Sequence, residues 1–215
     1  MLLHFAAAGL LVATPAIAAP SNSPAVRRVV LVHGFLETGV SFNVLRKRLE
    51  KRGIECYIPR LLHRDGRGGL ENIAARLKED IDAKFGTREP ISIVAFSMGG
   101  LVSRYYLQNL GGAERCEYLI TIASPHNGTA VARLYPSLGA EQMRPSSQFL
   151  ADLHTSQGKL GEMPVVSYHT PLDLVILPAD SSVWDRAENL SIPVLLHPLM
   201  LRSHCVLSDI ERRLQ

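Results

Sequence analysis

Cysteine is scarce in this chain, with three residues among 215. Three thiols permit at most one internal disulfide, which excludes a fold stapled by several disulfides. Pairing of Cys56 with Cys116 stays open, because it depends on the distance between their Cα atoms. No cluster of His, Cys, Asp and Glu has metal-ligand spacing, and no glycine-rich phosphate loop or dinucleotide fingerprint follows an apolar run. The sequence therefore predicts no catalytic cofactor and no metal site.

Strong charge of one sign is also absent, since the formal net charge is +3 at pH 7. The densest basic run, from Arg46 to Arg52, is interrupted by leucine and glutamate at helical spacing. This pattern favours a solvated helix face over a patch for nucleic acid or anionic lipid. No zinc-finger, helix-turn-helix or RNA-recognition signature is present, so we expect no nucleic-acid partner.

Charged residues are missing from positions 1–20, where the chain is apolar and ends in small residues. Ala16-Ile17-Ala18 fits the small-x-small pattern that precedes a cleavage site, which predicts a signal peptide over residues 1–18 and a secreted or periplasmic protein. A start codon placed too far upstream is the alternative. Pro15 breaks the apolar core short of the roughly 20 residues that a membrane anchor needs. Residues 19–27 are expected to form a flexible lead, and residues 28–215 a single domain.

Short apolar runs rich in β-branched residues alternate with segments of helical period after this lead. We predict strands at Val29–His33, Glu55–Pro59, Ile91–Phe96, Glu117–Ala123, Pro164–Thr170 and Ser191–His197. We predict helices at Val40–Lys51, Gly69–Phe85, Met98–Leu110, Ser147–His154 and Val206–Leu214. The alternation indicates an α/β fold, a compact doubly wound and mostly parallel sheet of about six strands with helices on both faces.

The segment from Pro125 to Met163 is the longest without a predicted strand. It is either an ordinary crossover with a long loop or a flap over a site at the carboxyl ends of the strands. The sequence favours neither.

One short stretch carries the main functional signal. From Ile91 to Leu107 the chain reads ISIVAFSMGGLVSRYYL, an apolar run that stops at Ser97 and resumes as a helix. A residue on a sharp turn from strand into helix is strained, and the residues two before and two after it must be small. They are Ala95 and Gly99 here, so the pattern predicts a nucleophile elbow at the carboxyl end of a central strand.

The same turn predicts an oxyanion hole. The backbone N–H of Met98 would begin a helix, where free N–H groups and the helix dipole favour negative charge. A second donor is expected from the loop after the first strand, which reads VHGF, with Gly34 permitting close approach and the N–H of Phe35 pointing to the same place. His33 is interpreted as part of that loop.

Three segments together resemble a known family: LVHGF, VAFSMGGLVSRYYL and ITIASPHNGT. They are similar to the lipase and esterase branch of the α/β-hydrolase superfamily, particularly small bacterial lipases, and the resemblance covers nearly all of the chain after the leader. It implies the α/β-hydrolase fold and hydrolysis of acyl esters. Alanine replaces the first glycine of the elbow, as it does in some bacterial lipases.

A serine nucleophile needs a carboxylate and a histidine, which follow it along the chain in this fold in the order acid, then base. The acid is expected just after the strand that reads PVVSYHT, and Asp173 meets this requirement. Its rivals are Asp152 in a predicted helix, and Asp180 and Asp185 later in the same crossover.

The base is expected after the last strand. His204 lies in a loop after that predicted strand and just before the terminal helix, so we select it. His197 is the second choice, because it ends the predicted strand and is followed by Pro198. The other histidines after the serine are His126, His154 and His169. Of these, His126 is interpreted as a pocket-wall residue or a satisfied loop histidine.

The sequence thus predicts a serine hydrolase that cleaves carboxylic esters through an acyl-enzyme. Ser97 would attack the ester, His204 would act as the base, Asp173 would orient it, and the Phe35 and Met98 amides would hold the oxyanion. The expected partners are a small-molecule or lipid ester and, transiently, a membrane or lipid interface. An acyltransferase or thioesterase on the same triad is the alternative, followed by a non-catalytic binding module.

Overall fold

The computed structural model describes residues 27–215, and these residues build a sheet of six parallel strands in the order β2-β1-β3-β4-β5-β6. The strands are β1 Arg28–Val32, β2 Glu55–Tyr57, β3 Ile91–Phe96, β4 Cys116–Ile122, β5 Val165–His169 and β6 Glu188–Ser191. The predicted doubly wound parallel sheet is confirmed.

Six α-helices connect the strands within this part of the chain. They are α1 Asn43–Glu50, α2 Leu70–Phe85, α3 Met98–Asn109, α4 Leu138–Gln142, α5 Gln148–Thr155 and α6 His204–Arg213. Short 3-10 helices occupy Val40–Phe42, Gly112–Glu114, Ala130–Leu134, Gln157–Leu160, Ala179–Ser182 and His197–Arg202. Serine hydroxyls cap α4 and α5, where Ser137 accepts a hydrogen bond from the N–H of Ala140 and Ser147 from that of Leu150.

Both faces of the sheet are buried, as the strand sequences imply. Side chains alternate along β1, so that Val30 and Val32 join an apolar cluster with α2, α3 and α5, while Val29 and Leu31 join a second cluster with α1 and α6. All residues of β3 are buried, which explains its continuous apolar sequence. The elbow serine therefore follows a strand that is fixed from both sides.

The last strand departs from the prediction. The apolar run from Ser191 to His197 was expected to be a strand, but β6 is the polar segment Glu188–Ser191 at the edge of the sheet. Pro193 has no N–H to donate to a sheet ladder, and Val194 bends back to donate its N–H to the carbonyl of Ile192. The residues after Ser191 therefore form a loop, and His197 follows it at the start of a 3-10 helix.

The N-terminal predictions fall mostly outside the described residues. The predicted signal peptide at 1–18 lies outside the described residues, as does the predicted lead at 19–27 except for its last residue. All three cysteines lie in the described part and are free thiols, so Cys56 and Cys116 do not form a disulfide. Within residues 27–215 no helix has the length and apolar character to cross a membrane.

Candidate active site

Ser97 stands between β3 and α3 in a strained backbone conformation. Its φ of 54° and ψ of −126° are far from the usual regions for a residue with a Cβ. The sharp turn arises because the buried strand ends at Phe96 and α3 begins at Met98 with no loop residue to spare. The side chain of Ser97 is thereby raised at the carboxyl edge of the sheet, where it lines a small cavity.

Three glycines leave room for close packing around this turn, Gly99 against backbone and Gly100 and Gly34 against neighbouring side chains. A Cβ on Gly99 would lie 2.7 Å from the carbonyl oxygen of His33, and one on Gly100 would lie 2.6 Å from the Cβ of Ser124. A Cβ on Gly34 would be 3.0 Å from that of Ser97. The distances at Gly99 and Gly100 are too short for real side chains, and the distance at Gly34 is tighter than most real contacts, so packing of the elbow against the loops after β1 and β4 explains the small residues in the pattern.

The two backbone N–H groups expected to hold an oxyanion are available. Met98 is the first residue of α3, and among the described residues neither its N–H nor that of Phe35 donates to a protein acceptor. Glu37 holds the loop that carries Phe35, since its carboxylate accepts hydrogen bonds from the N–H of Gly34 at 3.3 Å and from the hydroxyl of Ser41 at 3.2 Å.

Asp173 is buried in the loop after β5 with both carboxylate oxygens occupied. Its Oδ1 accepts from the backbone N–H groups of Val175 at 2.8 Å and Ile176 at 2.9 Å, and its Oδ2 accepts from Nδ1 of His197 at 2.8 Å. Burial opposes ionisation of Asp173, but the hydrogen bond and charge of His197 and the two N–H groups outweigh it, so its pKa lies below the ordinary value. Asp173 is therefore an ionised carboxylate that accepts a hydrogen bond from a histidine.

That histidine is His197 rather than the selected His204. His204 is exposed at the first residue of α6, whereas His197 is buried and packs its ring 4.7 Å from that of Phe96, the residue before the serine. Because β6 ends at Ser191, His197 comes after the last strand, at the first residue of the 3-10 helix His197–Arg202, and so meets the requirement on which His204 was selected. While Nδ1 is bonded to Asp173, Nε2 has no hydrogen-bond partner within residues 27–215.

The cavity beside Ser97 is small and apolar. Its volume is about 50 Å³, and its walls come largely from the segment after β4, with contributions from the loops after β1 and β5. The residues that line it besides the serine are Phe35, Pro125, Thr129, Val131, Ala132, Tyr135, Ala140, Met143, Val175 and Ile176. The long segment after β4, for which crossover and flap were equally expected, thus forms most of the pocket wall.

A buried polar network anchors this wall to the elbow helix. Arg104 of α3 donates to Nδ1 of His126 at 3.3 Å and to the carbonyl of Leu153 at 3.1 Å, and it stacks on Trp184. Since arginine only donates, His126 donates through Nε2 to the hydroxyl of Thr121 at 3.1 Å. Burial and the charge of Arg104 keep the pKa of His126 well below its ordinary value. The residue is a satisfied loop histidine, one of the two expected roles.

Similarity to known proteins agrees with this geometry. Residues 28–159, more than half of the chain, match the family described as palmitoyl protein thioesterase. The chain belongs to this family. A comparison with curated proteins found no match.

Structures similar to this family member include bacterial lipases and other hydrolases of the α/β-hydrolase fold. The mature lipase BlEst2 of Bacillus licheniformis is 16% identical with a TM-score of 0.74, over 90% of this chain and 94% of that one. An extracellular α/β-hydrolase from a Paenibacillus species is 15% identical with a TM-score of 0.59, over 86% and 97%. A metagenome-derived lipolytic enzyme is 15% identical with a TM-score of 0.66, over 88% and 94%. These likenesses confirm the α/β-hydrolase fold.

Proposed function

We propose that this protein is a serine hydrolase that cleaves carboxylic esters with Ser97, His197 and Asp173. The observation that carries the proposal is the buried Asp173–His197 hydrogen bond of 2.8 Å, with the His197 ring packed on Phe96, the residue before the strained elbow serine. The family match and the fold shared with lipases and esterases support hydrolysis of an acyl bond. His197 replaces His204 in the proposed triad.

The reaction would proceed in two halves. Nε2 of His197 takes the proton from the Ser97 hydroxyl as Oγ bonds to the acyl carbon, and the N–H groups of Phe35 and Met98 stabilise the oxyanion. The C–O bond to the alcohol then breaks, and the leaving alcohol takes the proton from His197. Water next attacks the acyl-enzyme and gives a proton to the same nitrogen. The carboxylic acid leaves, and the proton returns to Ser97.

The cavity favours short acyl groups. Its lining is almost wholly aliphatic or aromatic, and its volume of about 50 Å³ leaves room for a short chain. Oxygen esters are the first choice, and thioesters are the second because of the family to which the chain belongs. Rates measured with matched butyryl oxygen ester and butyryl thioester substrates, with and without an added alcohol acceptor, will separate an esterase from a thioesterase and an acyltransferase.

We also infer that the protein contacts a lipid interface through the edge of the sheet that bears Ser97. In the described chain, the large exposed hydrophobic side chains all follow the carboxyl ends of strands. They are Leu36, Val40, Val44, Leu62, Leu134, Tyr135, Leu138, Leu172, Leu174, Val175, Leu177, Leu195, Leu196 and Leu199. Such a concentration exceeds the scattered apolar residues of an ordinary surface.

This contact predicts that replacing Leu134 and Leu174 by serine will weaken sedimentation with phosphatidylcholine vesicles while leaving hydrolysis of a soluble ester unchanged. Leu134 is 77% exposed and Leu174 is 67% exposed, so the changes should not disturb the fold. Undiminished sedimentation of the double variant would argue against the contact. Secretion is proposed from the predicted signal peptide, and the extracellular Paenibacillus hydrolase of the same fold supports it.

The triad is tested by labelling with a fluorophosphonate probe and mass spectrometry of the modified peptide. We expect modification at Ser97 that is lost in Ser97→Ala and falls sharply in His197→Ala, but is retained in the matched control His204→Ala. Labelling that depends on His204 and survives His197→Ala would instead support His204 as the base, as selected from the sequence. A protein that folds but does not react would favour the binding-module alternative.

A further inference from the structure

Two threonine hydroxyls connect the loop that carries Asp173 to its neighbours. We call residues 170–178 the acid loop, residues 124–134 the wall segment and residues 192–197 the base loop. All three follow strands at the same edge of the sheet. Hydrogen bonds through side-chain hydroxyls join them, and the hydroxyls belong to Thr170 and Thr129.

Thr170 joins the acid loop to the base loop. Its hydroxyl donates to the carbonyl of Val194 at 2.7 Å and accepts from the N–H of Val194 at 3.2 Å and from that of Leu172 at 3.3 Å. One donor and two acceptor positions are all that a hydroxyl offers, so its capacity is used completely. Val194 lies three residues before His197, and Leu172 lies directly before Asp173. The hydroxyl thus sets the spacing of the backbones from which acid and base project.

Thr129 joins the acid loop to the wall segment in the same way. Its hydroxyl donates to the carbonyl of Val175 at 2.8 Å and accepts from the N–H of Leu177 at 3.0 Å and from that of Val131 at 3.3 Å. Val175 is held through both of its backbone polar groups, because its C=O accepts from Thr129 and its N–H donates to Oδ1 of Asp173. Thr129 also lines the cavity beside the serine.

We propose that Thr129 and Thr170 are positioning residues that fix the Asp173–His197 pair, an inference that rests on the proposed function. Both side chains are buried, so no solvent replaces a lost hydroxyl, and removing it leaves the N–H groups of Leu172 and Leu177 without an acceptor. Branching at Cβ restricts the side-chain rotamer, which holds each hydroxyl in one direction. A substrate that contacts Thr129 would also shift Asp173, because Val175 is hydrogen-bonded to both residues.

The test compares Thr→Val and Thr→Ser at both positions. Valine keeps the shape and removes the hydroxyl, whereas serine keeps the hydroxyl. We expect Thr170→Val to lower kcat by about 10- to 100-fold without changing KM, because the pair is displaced by a fraction of an ångström to an ångström. Thr129→Val should lower kcat and also raise KM, because this residue lines the cavity. The serine variants should recover most of the lost rate.

The matched control is Thr155→Val on α5, where an exposed hydroxyl donates only to the local carbonyl of Ala151. It should leave kcat and KM unchanged. Valine variants at Thr129 and Thr170 that keep wild-type kcat and KM would overturn the proposal. A loss of rate that serine does not restore would also overturn it, because the hydroxyl would then not be the cause.

A second measurement needs no turnover. The proton between Nδ1 of His197 and Asp173 should give a downfield NMR signal, and this signal should persist in the serine variants and shift or vanish in the valine variants. It can be recorded in a Ser97→Ala background, so failure of the proposed reaction is distinguishable from failure of the positioning role.

If the valine variants do not fold, the amides of Leu172 and Leu177 test the hydroxyls in the wild type. Among the described residues each of these amides donates only to a threonine hydroxyl. Slow hydrogen exchange supports the proposal, and exchange at the rate of open loop amides overturns it.

Discussion

The two edges of the sheet are built by different means. At the carboxyl edge, a residue other than glycine with positive φ follows each of the first four strands: Leu36, His63, Ser97 and Ala123. Exposed aliphatic side chains concentrate at the same edge. Backbone strain and exposed apolar surface both cost stability, so this edge carries features that folding alone would not select.

Ion pairs cover the amino edge. Arg28 binds Glu89 at 2.8 Å and Arg213 binds Glu188 at 2.6 Å, while Arg115 of the turn before β4 binds Asp82 of α2 at 2.9 Å. These contacts hold the starts of the strands and the end of α6. Ion pairs therefore secure the amino edge of the sheet, while the carboxyl edge holds the strained candidate site.

The largest effect is expected from the base at the carboxyl edge. His197→Ala should reduce kcat for a short ester by about 10⁴-fold or more, because the proton acceptor and the partner of Asp173 are both lost. The matched change His204→Ala removes an exposed side chain and should leave kcat within about twofold. Steady-state kinetics of the two purified variants decide between the histidines. Equal losses in both would contradict this assignment.

A smaller effect concerns substrate length. Met143 is buried at the cavity, so Met143→Ala should enlarge it and raise the preference for longer over shorter acyl chains about tenfold in kcat/KM. Met163→Ala removes an equally buried methionine that does not line the cavity and should leave the preference unchanged. A series of nitrophenyl esters measures the ratio. An unaltered series for Met143→Ala would place the acyl group elsewhere.

Relieving the backbone strain at Ser97 should raise the free energy of unfolding. Ser97→Gly and Ser97→Ala both lose the nucleophile, but only glycine adopts a φ of 54° with this ψ without strain. We expect the glycine variant to exceed the alanine variant by about 1 to 2 kcal/mol in free energy of unfolding. Urea denaturation of both inactive proteins checks this. Equal midpoints would mean that the turn stores no strain.

The smallest expected effect concerns Asp209 of α6, which flanks the sheet near its amino edge. Burial opposes ionisation of Asp209, but hydrogen bonds from Tyr168, Arg213 and Arg212 outweigh it and lower its pKa from 3.8 to about 2. A lowered pKa stabilises the folded state at pH above the ordinary value and loses that contribution as pH falls through the lowered one. Asp209→Asn should therefore cost about 1 kcal/mol at pH 7, and less as the pH falls from about 4 to about 2.

Unfolding followed by circular dichroism at several pH values measures that difference. Catalysis should be unaffected, since Asp209 lies on α6 away from the cavity. A penalty that is the same at pH 2 and pH 7 would show that charge is not its source.

The sequence predicted the elbow because local sterics alone demand its pattern. A buried apolar strand, a serine and glycines at fixed spacing seldom occur together outside such a turn, and the structure places Gly99 and Gly100 against backbone and a neighbouring side chain. The strand bounds of β3 were likewise predicted to the residue, because β3 is buried on both faces.

The pairing of His197 with Asp173 could not be predicted by the same reasoning. The run from Ile192 to Leu196 is apolar, and periodicity does not separate a buried strand from an exposed loop of aliphatic residues. Leu195 is 65% exposed, so its apolar character belongs to the surface of the carboxyl edge rather than to the core. Pro193, which has no N–H to donate to a sheet ladder, was the residue in this run that argued against a strand. The roles of Thr129 and Thr170 were also invisible, because each depends on contacts between loops far apart in sequence.

The buried arginine behind the pocket wall has a consequence for the conditions under which the cavity keeps its shape. Arg104 is bound by a carbonyl, an amide oxygen and a neutral imidazole, and no carboxylate pairs with it among residues 27–215. Dissolved ions screen exposed charge pairs but scarcely reach a buried cation held by dipoles. High salt concentration should therefore weaken the ion pairs of the amino edge while the cavity wall keeps its structure.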